Sequence, residues 1–304
     1  MTSVHSGQLA EVDKATVKAP VSVIVPVKNE EGNLASCLEH LAWADEVFVV
    51  DSGSTDRTGQ ISAEYGAKVV QFKWDGHFPK KKNWSLKNLP FRNEWILIVD
   101  ADEHITEESA KEIAAVVANP GDKVGYYINR KFIFMGAWLK HCGYYPSWNL
   151  RLIKKGHGEY EKISETGDTK SGDNEVHEHV LCDGAVGWLK EDMIHYAFPT
   201  IDVFIEKHNR YSNWEALVQL ERLGSGLPAN PFGHALERRR FAKRLVAHLP
   251  FRPLLRFFYS YVLRLGFLDG RRGWIFCRLL ATYEFLSVAK YQELKLKRKK
   301  AGKG

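Results

Sequence analysis

The chain has 304 residues, 44% of them hydrophobic, and a formal net charge of +6, enough apolar sequence for one large α/β domain with an appendage. Its four cysteines, Cys37, Cys142, Cys182 and Cys277, form neither a C-x-x-C pair nor a zinc spacing, which excludes a disulfide framework and suits reduced thiols in a cytoplasm. No window reaches the roughly 18 uninterrupted apolar residues of a spanning helix. Residues 1–19 hold no apolar signal core and read as a disordered lead-in.

In chain order, Val21–Val27 is a short β-branched run that reads as a strand. Leu34, Cys37, Leu38 and Leu41 then recur at helical spacing. A second apolar run, Val47–Val50, ends in Asp51 and the turn sequence Ser52-Gly53-Ser54, and a helix is expected from about Thr55. Ala67–Phe72 reads as a third strand, Pro79–Leu89 as a helix, and Trp95–Val99 as a fourth strand ending in Asp100-Ala101-Asp102-Glu103. Thr106 has the character of an N-cap for a helix reaching Ala118. Such alternation predicts a doubly wound, largely parallel sheet, whose ligands sit beyond the carboxyl ends of the strands. Asp51 and the Asp100–Glu103 cluster fall at two such ends. From Val124 to about Phe198, strand-like runs (Tyr126–Phe134, Asn149–Ile153) predict a smaller mixed sheet packed on the first. A helix is expected over Asp202–Leu223, with Phe204, Ile205, Leu217, Leu220 and Leu223 apolar. The expected organisation is a catalytic domain over 20–223, a linker over 224–236 and a basic helical tail over 237–304.

Asp100-Ala-Asp102 carries the chemistry. Alternate residues leaving a strand can aim two carboxylates at one point, and hard oxygen ligands suit Mg²⁺ or Mn²⁺, which also bind diphosphate oxygens. An isolated D-x-D is more often an acidic loop capping a helix; here a second strand also ends in an Asp. Pro79-Lys-Lys-Lys82-Asn83 opens a helix, where lysines and free N–H groups suit phosphate, although lysine runs are usually solvated surface.

Val25-Pro-Val-Lys-Asn29-Glu30, Asp51-Ser-Gly-Ser-Thr-Asp56-Arg-Thr58 and Asp100-Ala-Asp102-Glu103, in that order, resemble the family-2 glycosyltransferases of GT-A fold over roughly residues 20–200. Val47–Thr58 and the tail segment Gly266-Phe-Leu-Asp-Gly270 resemble in particular the bacterial lipopolysaccharide-core glucosyltransferases. The resemblance implies a nucleotide-sugar donor, a UDP-sugar being the expected one. It places Asp51 on the base or ribose, Glu30 on the ribose, Asp100 on the donor sugar or ribose, Asp102 on the metal, and Lys82 and Asn83 near the donor. Asp56 is expected to cap the following helix. Lys28 stands where many relatives carry a base-stacking aromatic. An inverting reaction needs a base for the acceptor hydroxyl; Glu178 in Val176-His-Glu-His-Val180 matches the family's His-Glu pattern, with Asp168 and Asp173 as rivals. His195 is expected to complete the metal shell, although a lone strand histidine is more often simply a core residue. The processive Gln-x-x-Arg-Trp signature is missing, which favours transfer of a single sugar, and no Walker loop is present.

From Glu237 onward 18 lysines and arginines face four acidic residues. Between Phe251 and Leu268, Arg252, Arg256, Ser260 and Arg264 recur every four residues among Leu, Phe, Tyr and Val. Gly270–Gly273 breaks the pattern, and Trp274–Leu294 repeats it with Arg278 and Lys290. A helix of that kind can lie in a membrane interface or pack on the catalytic domain. The expected partners are a lipid-anchored glycan acceptor and an anionic membrane surface, on the cytoplasmic side of the cell membrane, with no nucleic acid. Alternatives are a polyprenyl-phosphate glycosyltransferase, a nucleotidyltransferase, whose Gly-rich start is missing, and a non-enzymatic binder of anionic surfaces.

Overall fold

The computed structural model describes residues 18–162, 179–221, 229–233, 237–238, 241 and 251–301. The first half runs β1 (Ala19–Val27), α1 (Leu34–Glu39), β2 (Ala44–Asp51), α2 (Thr58–Glu64), β3 (Lys68–Gln71), α3 (Lys81–Asn88), β4 (Trp95–Ile98), β5 (Glu103–His104) and α4 (Glu107–Ala118). Strand side chains alternate between two faces, and here both faces are apolar. Val21, Val23 and Val25 of β1, Val49 of β2 and Leu97 of β4 enter one core, closed by Leu34 and Leu38 of α1 and Ile113 and Val117 of α4. Ile24, Phe48, Val50, Ile96 and Ile98 enter the other, closed by Trp84 and Leu86 of α3 and by Leu89 and Phe91. Each such buried side chain contributes roughly 1.5–3 kcal/mol, so β1 has no way to slip by one residue without losing both cores. Thr106 caps α4 as expected, its Oγ1 accepting from the Ser109 N–H at 3.2 Å.

The second half runs β6 (Lys123–Phe134), β7 (Ala137–Trp138), β8 (Trp148–Lys154), β9 (Gly158–Tyr160), β10 (Val180–Cys182), β11 (Ala185–Phe198) and α5 (Ile201–Glu221). Its long strands do not form a separate layer. They extend the main sheet in the order β3-β2-β1-β4-β8-β6-β11-β5, with β7 paired to β6. Strand β8 is antiparallel to both neighbours, and Leu150–Ile153 are buried in succession, the pattern of a strand covered on both faces. The smaller sheet is the antiparallel pair β9–β10. On α5, Ile205 is 52% exposed, while Phe204, His208 and Trp214 take the buried positions.

Residues 251–301 form α6 (Arg252–Phe258), a π turn (Tyr259–Leu263), a 3₁₀ turn (Gly266–Asp269) and α7 (Gly270–Ala301). Gly270–Gly273, where the sequence pattern breaks, forms the first turn of α7 directly after the 3₁₀ turn. The glycines there permit close approach: a Cβ on Gly273 would collide with the Gly266 carbonyl, and one on Gly266 would lie 2.8 Å from the Ser260 carbonyl. Helix α7 then docks Phe276, Cys277 and Leu280 into a third core with Phe132, Phe134, Phe198 and Phe204. No helix among the described residues is long and apolar enough to cross a membrane.

Candidate active site

Three parallel strands, β1, β2 and β4, end side by side, and the loops that follow them are laced together. Asn29, at φ +56°, a conformation asparagine tolerates, donates its N–H to Ser54 Oγ and accepts from the Thr55 N–H, both at 2.8 Å. Glu30 donates its N–H to Thr58 Oγ1 at 2.8 Å. Asp56 accepts from the Thr58 and Glu31 N–H groups at 3.0 and 3.1 Å, so it holds the first turn of α2 as expected. Asp51 is buried at the end of β2, and its carboxylate accepts from the Ser54 N–H (3.0 Å) and from Gln71 (3.1 Å). That carboxylate shapes the loop around it.

Helix α3 opens with three lysines, Lys80, Lys81 and Lys82, and all three are buried. A solvated cationic helix end is ruled out. Lys81 donates to the Val27 carbonyl, the last of β1, at 2.8 Å. Lys82 reaches Asp100 Oδ1 at 2.8 Å. Asn83 turns the other way: its amide donates to the Tyr160 carbonyl (2.8 Å) and accepts from the Tyr160 N–H (2.7 Å), fastening β9 to the helix.

Asp100 and Glu103 share one cation. Arg151 Nη2 lies 2.6 Å from Asp100 Oδ2 and 2.6 Å from Glu103 Oε1. Arg130 adds a contact to the same Glu103 oxygen at 3.2 Å and a second to Ser147 Oγ at 3.2 Å, and Glu103 Oε2 accepts from the Asp100 N–H. Lys82, Asp100, Arg151, Glu103 and Arg130 therefore form a line of alternating sign. Burial alone would raise the Asp100 pKa; Arg151 and Lys82 outweigh it and hold the carboxyl well below its usual range.

Asp102 points the other way along the crevice. His195 Nε2, on β11, lies 3.5 Å from Oδ1, and Lys207 Nζ, on α5, lies 3.5 Å from Oδ2. Burial again works against ionisation, and His195 and Lys207 overcome it, leaving Asp102 ionised. Glu30 faces the same group: its pKa is raised, by burial first and by Asp102 further on, against the pull of Asn33 and Lys207. Beside His195 opens a small cavity of about 100 Å³, with Phe132, Tyr144 and Phe198 on its walls and Arg130 and Ser147 at one side.

The structure thus brings Glu30, Lys82, Asp100, Asp102 and His195 into one crevice, with Asp51 at the neighbouring strand end. Glu178 and its rivals Asp168 and Asp173 lie outside the described residues; His179, the next residue after Glu178, bonds through Nδ1 to Glu161 at 3.1 Å. Sequence reasoning missed the roles of Arg130, Arg151 and Lys207. One of these carried a signal: a lone arginine inside an apolar strand, as Arg151 in Leu150-Arg-Leu-Ile153, needs a buried carboxylate. Lys207, on a helix rich in polar residues, carried none. No group of three His, Cys, Asp or Glu among the described residues could hold a metal by itself. Asp102 with His195 supplies two ligands of a kind that suits a divalent cation whose shell is completed by diphosphate oxygens and water.

An open α/β sheet with acidic ends on adjacent strands, and a D-x-D whose second carboxylate faces a histidine and a lysine, is the frame of a GT-A-type glycosyltransferase. Residues 22–171 match the model of glycosyl transferase family 2, and the chain is a glycosyltransferase. It is 29% identical over 287 residues to a lipopolysaccharide core biosynthesis glycosyltransferase, LpsC, of Rhizobium meliloti, covering 92% of this chain and 95% of that one. It is 28% identical over 285 residues to an uncharacterized glycosyltransferase of Rickettsia felis, covering 92% of each. Among solved structures it resembles glucosyl-3-phosphoglycerate synthase from Mycobacterium tuberculosis in complex with Mn²⁺, UDP and glucosyl-3-phosphoglycerate, at 16% identity and a TM-score of 0.42, covering 73% of this chain and 87% of that one.

Proposed function

We propose that the chain transfers a single hexose, glucose in the first instance, with inversion, from a UDP-sugar to a lipid-anchored glycan such as lipopolysaccharide core at the inner face of the cell membrane. The observation that carries this reading is the meeting of Asp102, His195 and Lys207 at the mouth of the crevice. The lipopolysaccharide acceptor is supported by the similarity to LpsC along nearly the whole chain.

The cations nearest the D-x-D are already paired: Lys82, Arg151 and Arg130 with Asp100 and Glu103, and Lys207 with Asp102. A diphosphate entering the crevice needs further positive charge. Asp102 and His195 would hold Mg²⁺ or Mn²⁺, which supplies that charge and stabilises the departing nucleoside diphosphate. Lys207 stands ready on the other Asp102 oxygen to meet a phosphate oxygen. Asp100, locked by Lys82 and Arg151, presents a fixed carboxylate edge to sugar or ribose hydroxyls, and Asp51 and Glu30 line the nucleoside side. The aromatic cavity beside His195 receives the acceptor ring, with Glu178 as the base for its hydroxyl.

Thermal-shift titration with nucleotide sugars, with and without Mn²⁺, tests the donor reading. Stabilisation should need the metal and vanish in Asp102→Asn, and full turnover in excess chelator would sink the metal site. Glu178→Gln should lower kcat by about 10²-fold or more with nucleotide affinity little changed. Normal turnover in that variant moves the base elsewhere.

A further inference from the structure

The segment from Phe251 to Trp274 is built inside out. On a surface helix, polar residues that recur every four positions ordinarily face water. Two of them face the protein instead: Arg252 is buried and pairs with Glu284 at 2.8 Å, and Ser260 is fully buried. Phe257 and Tyr261 pack on the third core, and most of the other apolar side chains point outward. Leu254, Phe258, Leu263 and Leu268 are each at least half exposed, and Phe251 is 77% exposed. A monomer in water rarely leaves so continuous an apolar surface open.

The charge around this surface has one sign. From Phe251 to Tyr283 the sequence holds six arginines and a single acid, Asp269. That acid is spent inward, accepting from the His141 N–H at 2.9 Å and bonding the His141 ring. Arg264, Arg271, Arg272 and Arg278 are exposed around the apolar side chains. Two copies of the surface packed face to face would set arginine against arginine, which disfavours self-association. An anionic bilayer satisfies both features at once, with the apolar tips in the acyl boundary and the guanidinium groups among phosphates.

The surface is also tied to the site. The Cys142 N–H donates to the Arg264 carbonyl at 3.1 Å, and His141 is held by Asp269. Both belong to the connection between β7 and β8, whose Tyr144 and Ser147 line the cavity beside His195. We propose that Phe251–Trp274 is a bilayer-inserting wedge that holds this cavity at the level of the lipid headgroups. Its purpose rests on the reading of a membrane-borne acceptor; its test does not, because plain vesicles carry no glycan.

The full chain is sedimented with vesicles of phosphatidylcholine, alone or mixed equally with phosphatidylglycerol. Binding to the anionic vesicles is expected. It should fall about tenfold or more in Leu263→Glu with Leu268→Glu, whose exposed positions leave the melting curve unchanged. Arg271→Gln with Arg272→Gln should weaken binding to the anionic vesicles selectively. Independently, brominated lipid should quench tryptophan fluorescence in the parent and less so in Trp274→Phe. The wedge is overturned if the parent stays in the supernatant with both vesicle types, or if the double glutamate variant binds like the parent. A concentration-dependent dimer that the same variant abolishes, without vesicle binding, assigns the surface to self-association instead.

Discussion

Arg151 holds two carboxylates with one nitrogen, and nothing else in the crevice is so committed. It is 5% exposed, and its loss leaves Asp100 and Glu103 buried with less charge to offset them. Removing one partner of a buried ion pair costs about 3–5 kcal/mol. Arg151→Met should therefore lower unfolding stability by that order in urea titration. Arg151→Lys keeps the charge on a shorter side chain that does not reach both oxygens as closely, and should fall between the parent and the Met variant. Asp102→Asn should leave stability nearly intact while abolishing transfer, because its partners are 3.5 Å away and remain partly solvated. Measuring both quantities on both variants separates the carboxylate that is clamped from the carboxylate that works. Legibility divides in the same way. The D-x-D and the strand-end Asp51 are visible in sequence because strand periodicity places them. The clamp is not, because Lys82, Arg130 and Arg151 come from three elements that only the folded sheet brings together.

Helices show the same limit one level up. Pattern alone sees α4 clearly, since a cap, a first turn of acids and an apolar stripe coincide. For α5 the pattern is ambiguous: Ile205, counted among its apolar positions, is exposed, while His208 is buried. His208 stacks on Phe204 with ring centroids 3.7 Å apart, and its Nδ1 donates to the Phe204 carbonyl at 2.8 Å. Burial first, with Lys207 adding to it against the pull of that carbonyl, lowers its pKa from 6.5 to about 4. A neutral folded histidine and a chargeable unfolded one mean that the unfolded chain binds the extra proton. The stabilisation is complete above pH 6.5 and is lost as pH falls from there towards 4, by up to about 3 kcal/mol. Unfolding midpoints measured across that window should fall in the parent and flatten in His208→Phe. In the C-terminal segment the spacing of four was real, but a π turn and a 3₁₀ turn re-aim the side chains. Helical periodicity does not announce either.

At the scale of the molecule, the parallel half of the sheet follows from the order of strands and helices. The antiparallel half does not, since β8 finds its place between β4 and β6 only through contacts distant in sequence. The C-terminal helices are equally non-local. Phe132 lies between the His195 ring, at 5.9 Å, and the Phe276 ring, at 5.3 Å, so α7 supports the very strand that carries the site. A chain ending at residue 250 should aggregate or unfold without a sharp transition, because Phe132, Phe134 and Phe204 lose their cover. Phe276→Ala alone should cost about 3–5 kcal/mol, read from the thermal midpoint.

That shared aromatic core also sets an order of events during synthesis. Strands β1, β2 and β4 leave the ribosome well before Phe276, an interval on the order of ten seconds at bacterial elongation rates. A nascent chain therefore owns the strand ends that carry Asp51, Asp100 and Asp102 before it owns the helix that backs Phe132 and, through it, His195. The crevice is complete only once the C-terminal helix has docked, so the finished site and the exposed apolar surface of Phe251–Trp274 arrive together.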